Sequence, residues 1–256
     1  MSNIQTEAEG AILRITINRP EKKNALTSRM YTELADAFDH AEANPDVRVM
    51  LLHGNGDSFT AGNDLEDFLK TPWSGDELPP AVRFMYAVAS ATKAVVAAVH
   101  GSAVGIGTTI LLHCDLVYAA EGARFMMPFV NLGIVPEAGS TMLVPALVGH
   151  QRAAELLMIA APLTAQRAYE LGLVNAVVAS GELLTTAMDA ARQLVAKPAR
   201  ALRATKQLLK RRQKTEVDDA MREELRVLRH HLGSPETREA LTAFLQKRKP
   251  DFSKFQ

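Results

Sequence analysis

One cysteine, Cys114, stands in 256 residues, so no intramolecular disulfide and no multi-cysteine metal cluster can form, and a reducing, cytoplasmic compartment is expected. Charge of one sign is missing as well. Lys plus Arg number 29 and Asp plus Glu number 29, so no global field favours nucleic acid or an anionic membrane, and an anionic partner must be held by a local site. Met1–Gly10 has neither a basic start nor an apolar run, and no signal peptide is expected there. The glycine motifs of nucleotide binding are incomplete. Gly54-x-Gly56 and Gly105-x-Gly107 would need a third glycine where Phe59 and Ile110 stand, and no G-x-x-x-x-G-K-S/T run exists, which excludes NAD and P-loop chemistry. Neither HxxxH nor a Cys/His or carboxylate cluster suggests a metal. Only Ala94–Cys114, 21 residues without Asp, Glu, Lys or Arg, is long enough to span a bilayer, but Gly101, Gly105 and Gly107 divide it into a strand, a turn and a helix start.

What is present is an ordinary globular composition, 47% hydrophobic and 23% charged. Leu13, Ile15 and Ile17 alternate with Arg14, Thr16 and Asn18 as in a half-buried strand. Thr27 or Ser28 caps a helix whose apolar face is Met30, Leu34, Phe38 and Ala41, ending at Asn44-Pro45. Val47–His53 reads as a buried strand, and Leu65–Pro80, with Pro72, Trp73, Gly75 and Pro79, as an irregular loop. The pattern continues with a helix at Ala81–Ala91, a strand at Val95–Val99, a helix at Ile106–His113, strands at Leu116–Ala119 and Phe125–Met127, and a helix at Ala138–Val148. No strand is expected beyond Val178. Helices follow at Glu182–Ala196, Pro198–Lys214, Glu216–His231 and Pro235–Lys247, so the fold class is an α/β core with a helical C-terminal layer, divided at 1–195 and 196–256. Arg192–Lys214 holds nine basic and no acidic residues. Val195, Leu202 and Leu209 are expected to form its buried stripe, and Arg200, Arg203, Lys206, Lys210 and Lys214 its wet face, with nucleic-acid binding a secondary activity at most.

A strand feeding a Gly-rich turn can present backbone N–H groups to an oxyanion, with a helix starting near Ile106 adding positive potential. The histidines flanking that turn, His100 and His113, read as hydrogen-bonded structural residues, Cys114 as an inert buried thiol, Asp115 as structural, and Asp64 as a turn residue holding the loop. By spacing alone, Glu137 reads as a first-turn helix acid.

Four segments in order, Asn18-Arg19-Pro20 with Asn24-Ala25-Leu26, Gly54 to Leu65, Gly101 to Asp115 and Pro128 to Gly139, with a weaker one at Ala243 to Pro250, resemble the crotonase, or enoyl-CoA hydratase/isomerase, superfamily. The resemblance implies a spiral of ββα repeats, a C-terminal region that builds a homotrimer or a dimer of trimers, and an acyl-CoA thioester substrate with no separate cofactor. It implies that the amides of Asn63 and Ile106 form an oxyanion hole, which Ile106 can join only if its φ is not positive. Each such donor contributes ~10²–10³ in rate, and a general base ~10²–10⁴. The hydratases of the family carry two glutamates at positions that here are Thr109 and Phe129, neither of them a carboxylate. Glu137 instead resembles the single glutamate of the Δ3,Δ2-enoyl-CoA isomerases, with Phe129 and Leu132 expected to line an apolar acyl pocket that raises its basicity. On that pattern Thr109→Ala should matter little. For CoA the resemblance points to main chain at Lys23, Ala25, Leu26, Ala61, Asp64 and Leu65, with Phe244 and Lys247 from a C-terminal helix and Lys22 and Lys23 near phosphates. A hydratase with a reduced acid/base set, and a protein that binds CoA esters or RNA without catalysis, stay open as alternatives.

Overall fold

The computed structural model describes residues 2–70 and 78–255. The chain opens with an antiparallel pair, β1 (Ile4–Glu9) and β2 (Ile12–Ile17), then α1 (Ser28–Ala43), capped by Thr27, and β3 (Val49–Gly54). Next come α2 (Leu65–Lys70), α3 (Pro80–Ser90), β4 (Ala94–Val99), β5 (Ser102–Val104) and the short α4 (Ile106–Thr109), which runs on as a 3-10 turn at Ile110–His113. β6 (Leu116–Ala120) and β7 (Arg124–Met126) lead to a 3-10 turn at Val130–Leu132, then to α5 (Ser140–Val148) and α6 (His150–Met158). β8 (Leu163–Thr164), α7 (Ala165–Glu170) and β9 (Ala176–Val178) complete the strands. The C-terminal layer is α8 (Leu183–Val195), α9 (Ala199–Arg211), α10 (Lys214–His231) and α11 (Pro235–Leu245).

The main sheet has the order β1-β2-β3-β4-β6-β9, parallel after the first pair; a smaller sheet, β5-β7-β8, stands beside it. The long apolar runs of β3 and β4 are explained by burial on both faces. Met50, Leu52, Val95, Ala97 and Val99 pack on one side with Leu34, Phe38 and Val88 of α1 and α3. Val49, Leu51, Ala94, Val96 and Ala98 pack on the other with Ala187, Met188 and Ala191 of α8. The uncharged run 94–114 is β4, β5, α4 and the turn after it, and no described helix is long and apolar enough to cross a membrane.

Several local expectations give way. Leu65–Lys70 is helical rather than loop, since Asp64 accepts the Asp67 N–H at its start, while Pro72, Trp73 and Gly75 fall outside the described residues. The helix expected at Ala138 begins at Ser140, because Ala138 and Gly139 are both left-handed. Leu209 is 76% exposed, so Val195, Leu202 and Leu209 are not a buried stripe. The inner face of α9 carries two of its lysines instead. Lys206 is buried, donating to the Lys93 carbonyl at 2.6 Å and to Asp115 at 2.7 Å, and Lys210 donates to the carbonyls of Ala89 and His113. The Lys210 ammonium satisfies carbonyls that the ends of α3 and of the 110–113 turn leave open, and the Lys206 ammonium a carbonyl just before β4 and the Asp115 carboxylate, which a leucine cannot do.

Candidate active site

Two short parallel bridges build the centre of the site. Leu26 pairs with Asn63, its N–H donating to the Gly62 carbonyl at 2.8 Å while its own carbonyl accepts the Asp64 N–H at 2.9 Å. Those bonds use residues 62 and 64, so the N–H of Asn63 faces away from Leu26. Thr60 pairs with Ala103 through Thr60 N–H to Ser102 O and Val104 N–H to Thr60 O. The two bridges lay residues 60–63 along β5 and the start of α4. The approach is close enough to require glycine: a Cβ on Gly62, whose φ is +86°, would stand 2.7 Å from the Val104 carbonyl oxygen. Gly105 takes the positive φ of the second turn, which frees Ile106 to open α4 in helical backbone. As a first-turn residue, Ile106 offers an N–H that the helix itself does not use.

The first motif ties this arrangement down. Asn24 is fully buried and left-handed; its side-chain amide donates to the carbonyls of Asn55 and Ser58, and its Oδ1 accepts the Arg19 N–H at 2.8 Å. Arg19 reaches across to the Ala25 carbonyl at 3.0 Å and to Asp64 at 2.7 Å. Burial pushes the Asp64 carboxyl up, but the bonds from Arg19 and from backbone N–H groups outweigh it and hold the carboxyl below its usual range. Asp64 is therefore an ionised strut of the loop. Ala61 N–H donates to Lys23 O at 2.9 Å, so the two main-chain segments expected around CoA, 23–26 and 61–65, run side by side.

Glu137 stands on the turn before α5 and is half-buried. Together with Val82, Met85 and Tyr86 of α3, Ala138, and Met221, Glu224, Leu225 and Leu228 of α10 it lines a small cavity. The Thr109 hydroxyl donates to Glu137 Oε1 at 2.5 Å. Desolvation by the apolar walls pushes the Glu137 carboxyl up to about 8; the Thr109 bond opposes this and the Glu224 carboxylate adds to it. A carboxyl poised near neutrality, bonded to Thr109 one turn after Ile106 on α4, can take and return a proton at carbon next to a carbonyl.

Comparison with known proteins agrees with this geometry. The family described as enoyl-CoA hydratase/isomerase matches residues 7–255. The chain belongs to the enoyl-CoA hydratase/isomerase family. It is 34% identical over 259 residues to the 1,2-epoxyphenylacetyl-CoA isomerase of Escherichia coli K12, covering 99% of each chain. It is 33% identical to the short-chain-enoyl-CoA hydratase of Clostridium acetobutylicum, covering 97% of each. Among solved structures, an enoyl-CoA hydratase/isomerase from Pseudoalteromonas atlantica T6c superposes with a TM-score of 0.93 at 37% identity, covering 98% of this chain and 100% of that one. The crotonase fold follows, and with it an enzyme of this family; the relatives named include both isomerases and hydratases.

For an enzyme of the enoyl-CoA hydratase/isomerase family, the structure brings together Asn63, Ile106 and the Lys23–Leu26 and Ala61–Leu65 segments, with Leu65 opening α2. Phe129 and Leu132 do not line the cavity beside Glu137. Phe129 is buried in the core and its carbonyl accepts the N–H groups of Leu132 and Ile134, which closes a tight turn packed against α11, so α3 and α10 supply the walls instead. Phe244 is 61% exposed at the end of α11 and Lys247 is exposed just beyond it, while Lys22 and Lys23 are exposed on the turn before Asn24. His113 donates to the Ala138 carbonyl at 2.7 Å and burial pushes it down to about 4; His100 donates to the Gly56 carbonyl. The Cys114 thiol is pushed up to about 12 by burial. No group of three or more His, Cys, Asp or Glu suited to a metal occurs among the described residues.

Three residues escaped the sequence reading. Tyr31 lies outside the apolar face expected for its helix, yet its buried hydroxyl donates to Asn63 Oδ1 and it lines a second cleft with Leu26, Asn63, Phe68 and Pro80. Thr109 is a lost carboxylate by position but a partner of Glu137 in space. Glu224 stands among the acidic residues of the stretch Glu216–Glu224, and only its spacing from Met221 and Leu228 on one helical face hints at burial.

Proposed function

We propose that the protein shifts the double bond of a 3-enoyl-CoA to the 2-position with Glu137 as its single acid/base. The Glu137 carboxylate takes a proton from C2, the charge spreads to the thioester oxygen held by the N–H groups of Asn63 and Ile106, and the protonated Glu137 returns the proton to C4. No water enters and nothing is lost. The observation that carries the reading is the Glu137 carboxyl, held by Thr109 in a cavity whose remaining walls are mostly apolar and pushed up to about 8. Hydration needs a second group to activate water. The other carboxyl in that cavity, Glu224, has both oxygens engaged by the N–H groups of Gly139 and Thr141 and the Thr141 hydroxyl, which speaks against that role. The test is turnover of a 3-enoyl-CoA and, separately, a 2-enoyl-CoA by wild type and Glu137→Gln. Conversion of the 3-enoyl substrate that falls by ~10²–10⁴ in the variant is expected. Consumption of the 2-enoyl substrate alone, or a variant as fast as wild type, overturns the assignment.

A further inference from the structure

We propose that Glu224, on α10, is a positioning residue for Glu137: it locks the turn that carries the base and presents a second carboxyl to the same cavity. The inference rests on Glu137 being the acid/base. Glu224 is 5% exposed, and it reaches from one helix to the start of another. Its Oε2 accepts the Gly139 N–H at 2.6 Å; its Oε1 accepts the Thr141 N–H at 2.9 Å and the Thr141 hydroxyl at 2.6 Å. The residue before α5, Gly139, has no side chain to cap the helix, so Glu224 supplies the cap from 85 residues away.

The turn it caps is strained. Ala138 has φ +59° and Gly139 φ +70°, two consecutive left-handed residues directly after Glu137, a conformation that an alanine side chain disfavours. Such a conformation persists only where its surroundings over-determine it. Here two clamps do so. His113 holds the Ala138 carbonyl from one side, and Glu224 holds the Gly139 N–H from the other. Released from Glu224, the turn can relax and carry the Glu137 side chain off its line to the substrate.

The second effect is electrostatic. Glu137 is faced by Thr109 from α4, Tyr31 from α1 and Glu224 from α10. Glu224 is faced by Thr141 and by Tyr86 of α3, which lies near Arg222 and Asp218. Neither carboxyl has a cationic side chain bonded to it among the described residues. Burial raises both above the usual range, and the like charge of Glu224 raises Glu137 further.

The experiment compares wild type, Glu224→Gln and Glu224→Ala by the pH dependence of kcat/KM and, independently of turnover, by infrared titration of the Glu137 carboxyl, assigned through its loss in Glu137→Gln. Thermal melting and binding of an unreactive CoA thioester confirm that each variant is folded. Glu224→Gln is expected to shift the Glu137 titration to lower pH in both measurements. Glu224→Ala is expected to lower kcat by about 100-fold with KM changed less than about threefold, since a displacement of ~1 Å costs that much. An unmoved Glu137 titration in a folded Glu224→Gln overturns the inference and leaves Glu224 a helix cap. If Glu137→Gln keeps its turnover, the acid/base reading fails instead, and the infrared titration still decides what Glu224 does.

Discussion

Glu137 and Thr109 form the pair on which residue-scale predictions turn. A base must be ionised to act, so kcat/KM for the free enzyme is expected to rise with pH and level off above about 8, where burial has pushed the Glu137 carboxyl. A pH profile of initial rates checks it, and a limb near the ordinary carboxylate range would remove Glu137 as the base. Because the Thr109 hydroxyl donates to that carboxylate, its removal leaves the ionised form without a partner. Thr109→Val is therefore expected to move the limb to still higher pH and to cut kcat/KM at pH 7 by about tenfold, the worth of one hydrogen bond to a charged group. This expectation is the opposite of the one the sequence pattern implies, where threonine in place of a glutamate reads as simple loss. Nothing in the local sequence of Thr109 announces its partner, 28 residues on.

Elements decide where the backbone donors stand. Residues 60–63 lie along β5 because Gly62 has no side chain to strike Val104, and because Asn24 and Arg19 bind the flanking loops. Gly62→Ala is expected to fold with a melting temperature lowered by several degrees, since both a left-handed φ and a 2.7 Å approach penalise the methyl, and to lose most turnover. A melt and a rate at saturating substrate test both parts. Arg19→Ala leaves Asp64 half-buried without its partner, and is expected to cost about 1–3 kcal/mol in a denaturant titration. The glycines, the asparagine and the arginine of these motifs are all legible in the sequence, and each has its reason in main-chain geometry. The inner face of α9 is not legible, because Lys206 and Lys210 owe their burial to carbonyls supplied by other elements.

For the whole molecule, the groups that burial shifts set the response to pH. Glu137 is protonated in the native state up to about 8 but ionises near its ordinary value when unfolded, so its contribution is complete at low pH and is lost as pH rises towards 8. His113 acts in the opposite sense: it stays neutral down to about 4 when folded, so its contribution is lost as pH falls from about 6.5 to 4. Between about 6.5 and 8 only Glu137 of this pair changes. Wild type is expected to lose up to about 1.4 kcal/mol per pH unit there relative to Glu137→Gln, by denaturant titration at each pH. By itself, the sequence determined the alternation of strands and helices and the glycine turns after β3 and β4, because each is written in local periodicity or in residues that a backbone turn demands, while the family was legible as a resemblance of ordered motifs, and it was that resemblance, not spacing, that singled out Glu137. Only the tertiary structure decided that Thr109 bonds Glu137, that Tyr31 bonds Asn63, that Glu224 caps the turn after Glu137, that Phe129 and Leu132 are not among the residues lining the Glu137 pocket, and that two lysines of α9 face inward. Those outcomes depend on which distant groups meet in a low-dielectric interior, and a hydrogen-bond partner contributed by another element leaves no mark on its neighbours in sequence.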